Sequence, residues 1–199
     1  MPRRRVSFSM MRRLPFLLAL LAVAGPAWSD QDWPARLRAG EIPIEAHADA
    51  KGRGGMVKAA IDIPASPDVV WRTILDCDRA ARMTPGVKRC RVIARAPDGR
   101  SETREHLVKW GFFLPTMRST SRVDFDPDRT IRFTCIGGDI RACEGSWTLE
   151  PLKAGGTRVT YEMWAAAPFA VPVPVLSGLM RRDVPDALRA LRRECEASG

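Results

Sequence analysis

The chain has 199 residues, 45% of them hydrophobic, and a formal net charge of +9. Five of its 32 basic residues and none of its acids lie in residues 1–29, so the remainder carries only +4. That balance does not support nucleic-acid binding, so no nucleic-acid partner is expected, and it leaves room for weak contact with an anionic membrane surface.

Arg3, Arg4, Arg5, Arg12 and Arg13 form a basic start, and Leu14 to Val23 is apolar apart from Pro15. The run is too short to span a bilayer, and Ala27 and Ser29 place small residues before a cleavage point at Asp30. Residues 1–29 are therefore expected to be a secretory signal peptide, giving a periplasmic or secreted protein. What remains is long enough for one domain with a sizeable core. In an oxidising compartment its five cysteines, an odd number, predict one or two disulfides and at least one free thiol.

Residues 30–55 read as an N-terminal arm, either a loosely packed leader or a lid. Trp33 to Leu37 suggests a helical turn, Glu41 to Ile44 a short extended piece, and Lys51-Gly52-Arg53-Gly54-Gly55 a flexible hinge. Met56 to Ile63 is a strand. Ser66 is placed to cap the helix that follows, with Pro67 at its first position and Asp68 at its positive end. Asp76-Cys77-Asp78 ends that helix, and Arg79 to Met83 forms a second short one before Thr84-Pro85-Gly86.

Strands are expected over Val87 to Arg95, Glu102 to Phe113 and Met117 to Phe125. Three more follow between Arg129 and Trp164, where apolar and polar residues alternate around two glycine-bearing turns. Ile131, Phe133 and Cys135 share a face, as do Cys143, Trp147 and Leu149, and Val159, Tyr161 and Met163. A sheet with one oily face needs an apolar cover. After a proline-rich crossing over Pro168 to Pro174, a helix over Val175 to Ala197 provides it. Leu176, Met180, Val184, Leu188, Leu191 and Cys195 line one side of that helix, with Arg182, Arg189, Arg192 and Arg193 largely off it. Pro185 predicts a kink or break.

Cys135 and Cys143 lie four residues either side of Asp139. A turn centred there would oppose them across neighbouring strands, within disulfide range. The alternatives are an unbonded pair of small apolar residues, or a Cys77–Cys90 bond. Cys195 stays unpaired in each case.

Certain motifs resemble the START-related (SRPBCC) superfamily, which includes polyketide cyclase/dehydrase-like and coenzyme Q-binding proteins. These are Ile63-Pro64-Ala65-Ser66-Pro67 with Val70-Trp71, Leu75-Asp76, Pro85-Gly86-Val87, Gly138-Asp139, Gly145-Ser146-Trp147 with Glu150-Pro151, and Gly156 to Tyr161. The resemblance runs from Met56 to Glu196 and implies an α+β helix-grip domain over residues 56–199. A curved antiparallel sheet of about seven strands would grip the long C-terminal helix, with two short helices after the first strand. An apolar cavity would lie between sheet and helix. Its candidate lining is Met83, Trp110, Phe113, Met117, Phe125, Phe133, Trp147, Tyr161, Met163, Leu176, Met180 and Val184.

Motifs for chemistry are sparse. No Cys-x-x-Cys, His-Glu-x-x-His, Gly-x-Ser-x-Gly or phosphate-cradling loop occurs, so neither metal nor cofactor is expected. A cyclase would need polar groups inside the cavity, for which Tyr161, Ser119, Ser121 and His106 are the candidates. The expectation is an exported, monomeric, non-enzymatic carrier for a hydrophobic small molecule such as a lipid, quinone or isoprenoid. The alternatives are a cyclase or dehydratase-type enzyme, and a cell-envelope interaction module with a filled core.

Overall fold

The computed structural model describes residues 32–109, 115–140, 142–166 and 172–198. The expected signal peptide and most of the proline-rich crossing lie outside them. The elements in order are α1 (Trp33–Arg38), β1 (Ile44–Ala48), β2 (Gly54–Ile63), α2 (Pro67–Leu75), α3 (Ala80–Met83), β3 (Val87–Arg95), β4 (Ser101–Val108), β5 (Met117–Asp126), β6 (Thr130–Gly138), β7 (Cys143–Pro151), β8 (Thr157–Ala166) and α4 (Val173–Glu196). The strands form one antiparallel sheet ordered β1-β2-β8-β7-β6-β5-β4-β3. The chain has the α+β helix-grip fold, with the curved sheet wrapped around α4.

The sheet has eight strands where the sequence reading counts about seven. The extra one comes from the arm. Ile44 pairs with Ala59 and Ala46 with Val57, and Ala46 is buried in one cluster with Val57, Leu176 and Met180. An apolar edge seat beneath α4 thus recruits a stretch too short to read as a strand alone. Ahead of it, Trp33 and Leu37 of α1 bury against Ala60 on the opposite face of β2, with the Lys58 ammonium 5.5 Å from the Trp33 ring centroid. The expected hinge at Lys51–Gly55 is instead the β1–β2 hairpin turn. The Asp49 carboxylate accepts from the Arg53 amide at 2.7 Å, and Gly52 supplies a positive φ of 63°.

Ser66 caps α2 as its sequence position requires, accepting from the Val69 amide at 3.4 Å. Helix α4 continues through Pro185 without the expected break. Pro185 is itself buried, with Met180 and Leu188 buried on either side of it, so packing holds the turn that lacks a donor. The far end of α4 is tied down by charge. Arg82 forms a two-bond fork with Glu194 at 2.9 and 3.0 Å, and Arg192 donates to the Asp62 carbonyl at 2.8 Å.

Thr134 pairs with Glu144 across β6 and β7, a register centred on Asp139. Cys135 and Cys143 accordingly form a disulfide, their Cα atoms 5.0 Å apart. The alternative pair forms as well: Cys77 and Cys90 are bonded, with Cα atoms 5.2 Å apart. Cys195 remains a buried free thiol. The two bonds are compatible because they join separate parts of the fold. Gly138 turns the chain out of β6 at φ +93°, where a Cβ would strike the Arg118 carbonyl.

Two measurements check this architecture. Leu188 is fully buried between α4 and the sheet, so Leu188→Asp should destabilise the domain by at least about 3 kcal/mol in thermal or chemical melts. Peptide mapping of unreduced protein should recover Cys77 with Cys90, Cys135 with Cys143, and Cys195 alone as a free thiol.

Candidate functional site: a cavity between the sheet and its helix

The inner face of the sheet and the apolar stripe of α4 do not meet everywhere. They leave a cavity of about 310 Å³ lined from β3 to β8, from α4, and from the segment around α3. Of the sequence candidates, Met83, Phe133, Trp147, Tyr161, Met163, Leu176, Met180 and Val184 line it. Met117 and Phe125 do not. Met117 is 2% exposed and fills the core, while the Phe125 ring packs edge-on against Trp71, 6.0 Å between centroids. Inward alternation along β5 therefore selects a face, but only the middle of that face borders the space. Trp110 and Phe113 lie outside the described residues.

One wall is aromatic. Tyr161 lies 4.3 Å from Trp147 and 6.3 Å from Phe133, centroid to centroid. Gly145 sits opposite Phe133 in the β6–β7 register, and a Cβ there would collide with the Phe133 ring and the Glu162 carbonyl. The missing side chain is what lets the ring lie across β7. The Tyr161 hydroxyl donates to the Met163 thioether at 2.9 Å, a weak acceptor. Burial pushes this phenol well above its ordinary value, so it acts as a neutral hydrogen-bonding group.

A second wall is polar: the sequence candidates Ser119, Ser121 and His106 border it, and the buried pair Glu102 and Arg104 is what the sequence reading missed. Glu102 pairs with Val123, Arg104 with Ser121, His106 with Ser119 and Val108 with Met117. The inward face of β4 thus carries two charges and an imidazole. Glu102 and Arg104 are each 7% exposed and form an ion pair with each other. A second Arg104 nitrogen donates to the Leu75 carbonyl at 2.7 Å. Ser119 lies 3.6 Å from Cys135 Sγ, and Arg104, His106, Ser119 and Ser121 all border the cavity. In the sequence, β4 shows polar residues on both faces and no alternation. Its facing follows only from its pairing with β5, whose alternation is legible.

Burial, and secondarily the adjacent Arg104 cation, lower the His106 imidazole from the ordinary 6.5 to about 4. At neutral pH the ring is uncharged and can both donate and accept a hydrogen bond. Among the described residues, no three His, Cys, Asp or Glu side chains converge in a way that could hold a metal ion, and no helix is long and apolar enough to cross a membrane.

A curved sheet gripping a C-terminal helix over a lined cavity defines a member of the START-like (SRPBCC) superfamily. More specifically, the chain belongs to the polyketide cyclase / dehydrase and lipid transport family, whose model matches residues 63–192. No curated protein matches the chain. Solved structures share its fold at low identity. A STAR-related lipid transfer protein from Xanthomonas axonopodis has 16% identity and TM-score 0.69, covering 78% of this chain and 93% of that one. The human protein STARD10 has 13% identity and TM-score 0.68, covering 89% and 83%. The Zhui aromatase/cyclase from Streptomyces sp. R1128 has 17% identity and TM-score 0.58, covering 78% and 94%. The family match corrects the expectation of a non-enzymatic chain, because the family is described by cyclase and dehydrase activity as well as by lipid transport.

The lowered His106 value has a consequence for stability. The unfolded chain takes up this proton near pH 6.5 and the folded chain only near 4, so stability falls as pH drops through that window. The loss attributable to His106 is about 3 kcal/mol. Chemical denaturation of wild type and His106→Gln at pH 7 and pH 4.5 should show the variant losing distinctly less stability than wild type.

Proposed function

We propose that this protein binds a small hydrophobic molecule with one polar end, such as a quinone, isoprenoid or other lipid, inside the cavity beneath α4. The observation that carries this reading is the cavity itself, whose volume of about 310 Å³ is at the lower end of ordinary ligand sites, roughly 300 to 1,000 Å³. Its walls are mainly apolar, so burial at about 25 cal/mol per Å² can supply affinity. The serines and imidazole of β4 and β5 give the ligand a polar end to register against. The signal-like start and two disulfides support action outside the cytoplasm.

A second reading, chemical conversion of the bound molecule, is favoured by one observation. The His106 imidazole is neutral, borders the cavity, and stands opposite Ser119 in the strand register. A neutral histidine there can remove a proton from a carbon beside a carbonyl and, as the imidazolium so formed, return it to a leaving hydroxyl. Burial keeps the ring in the unprotonated form that a base needs at neutral pH, and at the same time weakens it as a base.

Organic extraction of the protein purified from its exported pool, followed by mass spectrometry, tests the binding reading. A stoichiometric apolar compound is expected. Ala187 borders the cavity from α4, so Ala187→Phe should leave the melting temperature within a few degrees of wild type and remove the compound. An empty wild-type protein that also takes up no added hydrophobic ligand would contradict the proposal.

A further inference from the structure

The charges that border the cavity are already spoken for. Arg104 gives one nitrogen to Glu102 and another to the Leu75 carbonyl at 2.7 Å. The second Glu102 oxygen receives Arg95 at 3.4 Å, whose side chain is 73% exposed and whose charge is therefore mostly carried by water. Asp183, the other ionised group on the lining, is bound by Arg182 at 2.7 Å. The remaining polar groups facing the space are hydroxyls and an imidazole.

We propose that the cavity selects an uncharged amphiphile, and that Glu102, by occupying the Arg104 guanidinium, is the residue that excludes carboxylate ligands. This rests on the reading of the cavity as a binding site. A bare arginine on an apolar wall would be a carboxylate receptor, since its fork matches two oxygens. Here Glu102, two residues away on the same strand, holds one arm and neutralises the charge, the Leu75 carbonyl holds a second, and the ion pair is buried. A ligand carboxylate entering the space would lose its water, meet an Arg104 already neutralised by Glu102, and find no unpaired cation on the lining. A hydroxyl or carbonyl faces no such cost. It can exchange hydrogen bonds with Ser119, Ser121 or His106, each of which offers a neutral donor and acceptor. The paired charges orient the wall without adding net charge to it, and the discrimination therefore rests on what Arg104 is prevented from doing.

Isothermal titration of the wild-type protein at pH 7.5 with dodecanol, methyl dodecanoate and dodecanoate tests this. The three probes share a chain and differ in the charge of one end. The alcohol and ester should bind at least about tenfold more tightly than dodecanoate, as expected when a charge is left without a partner. Dodecanoate binding as tightly as the alcohol would overturn this inference while leaving the cavity as a binding site. Binding of none of the three would overturn both. Glu102→Gln removes the charge that neutralises Arg104, and its ratio of dodecanoate to dodecanol affinity should rise by at least about tenfold. An unchanged ratio in a variant that keeps the wild-type circular dichroism spectrum would remove Glu102 from the account. The wild-type comparison stands without any variant.

Discussion

One helix must cover an inner sheet face that spans eight strands. Everything else in the structure depends on that mismatch. Leu176, Met180, Leu188 and Leu191 seal α4 against β1, β2 and the neighbouring core. The same helix cannot also reach the inward side chains of β4 and β5. Dispersion favours closing any gap, because a void leaves its lining without partners. The frame around the gap is braced. Arg82 and Arg192 fix the last turns of α4, the Cys77–Cys90 bond ties the α2–α3 connection to β3, and the Cys135–Cys143 bond clamps β6 to β7. The cavity is thus a property of the frame rather than of any single lining residue.

The polar wall is the costly part of this design. An ion pair as deeply buried as Glu102–Arg104 is weak evidence for stability, since desolvation offsets most of its attraction. Leucines of similar volume would pack there at no electrostatic cost. The wall instead carries paired charges, a neutral imidazole and two buried hydroxyls around an otherwise oily space. That composition is understandable if the space receives something with a polar end. It is also a composition on which proton-transfer chemistry could be built. The two proposed readings share one geometry and differ in what His106 does to a bound molecule.

Much of the frame was legible in the sequence. Period-two alternation from Ile131 to Met163 identified three strands and their inner face, and the spacing of Cys135 and Cys143 about Asp139 anticipated the register that bonds them. The cap at Ser66 and the stripe on α4 were equally plain. Three features were not, each for a physical reason. Strand β1 is too short to show a period, and exists because an apolar edge seat is available for Ala46. Strand β4 has no hydrophobic contrast between its faces, so Glu102 and Arg104 could be turned inward only through the pairing with β5. Membership in the cavity lining also exceeds what alternation can tell. Phe133 and Phe125 both alternate inward, yet one borders the space and the other meets Trp71.

The most direct measurement of the central claim is a crystal structure of the protein soaked with dodecanol. The account predicts the hydroxyl within hydrogen-bonding distance of His106, Ser119 or Ser121, with the chain running beside Phe133 toward Val184 and Leu188. A structure in which α4 closes onto β4 and β5, so that no space remains and the alcohol is absent, would contradict it.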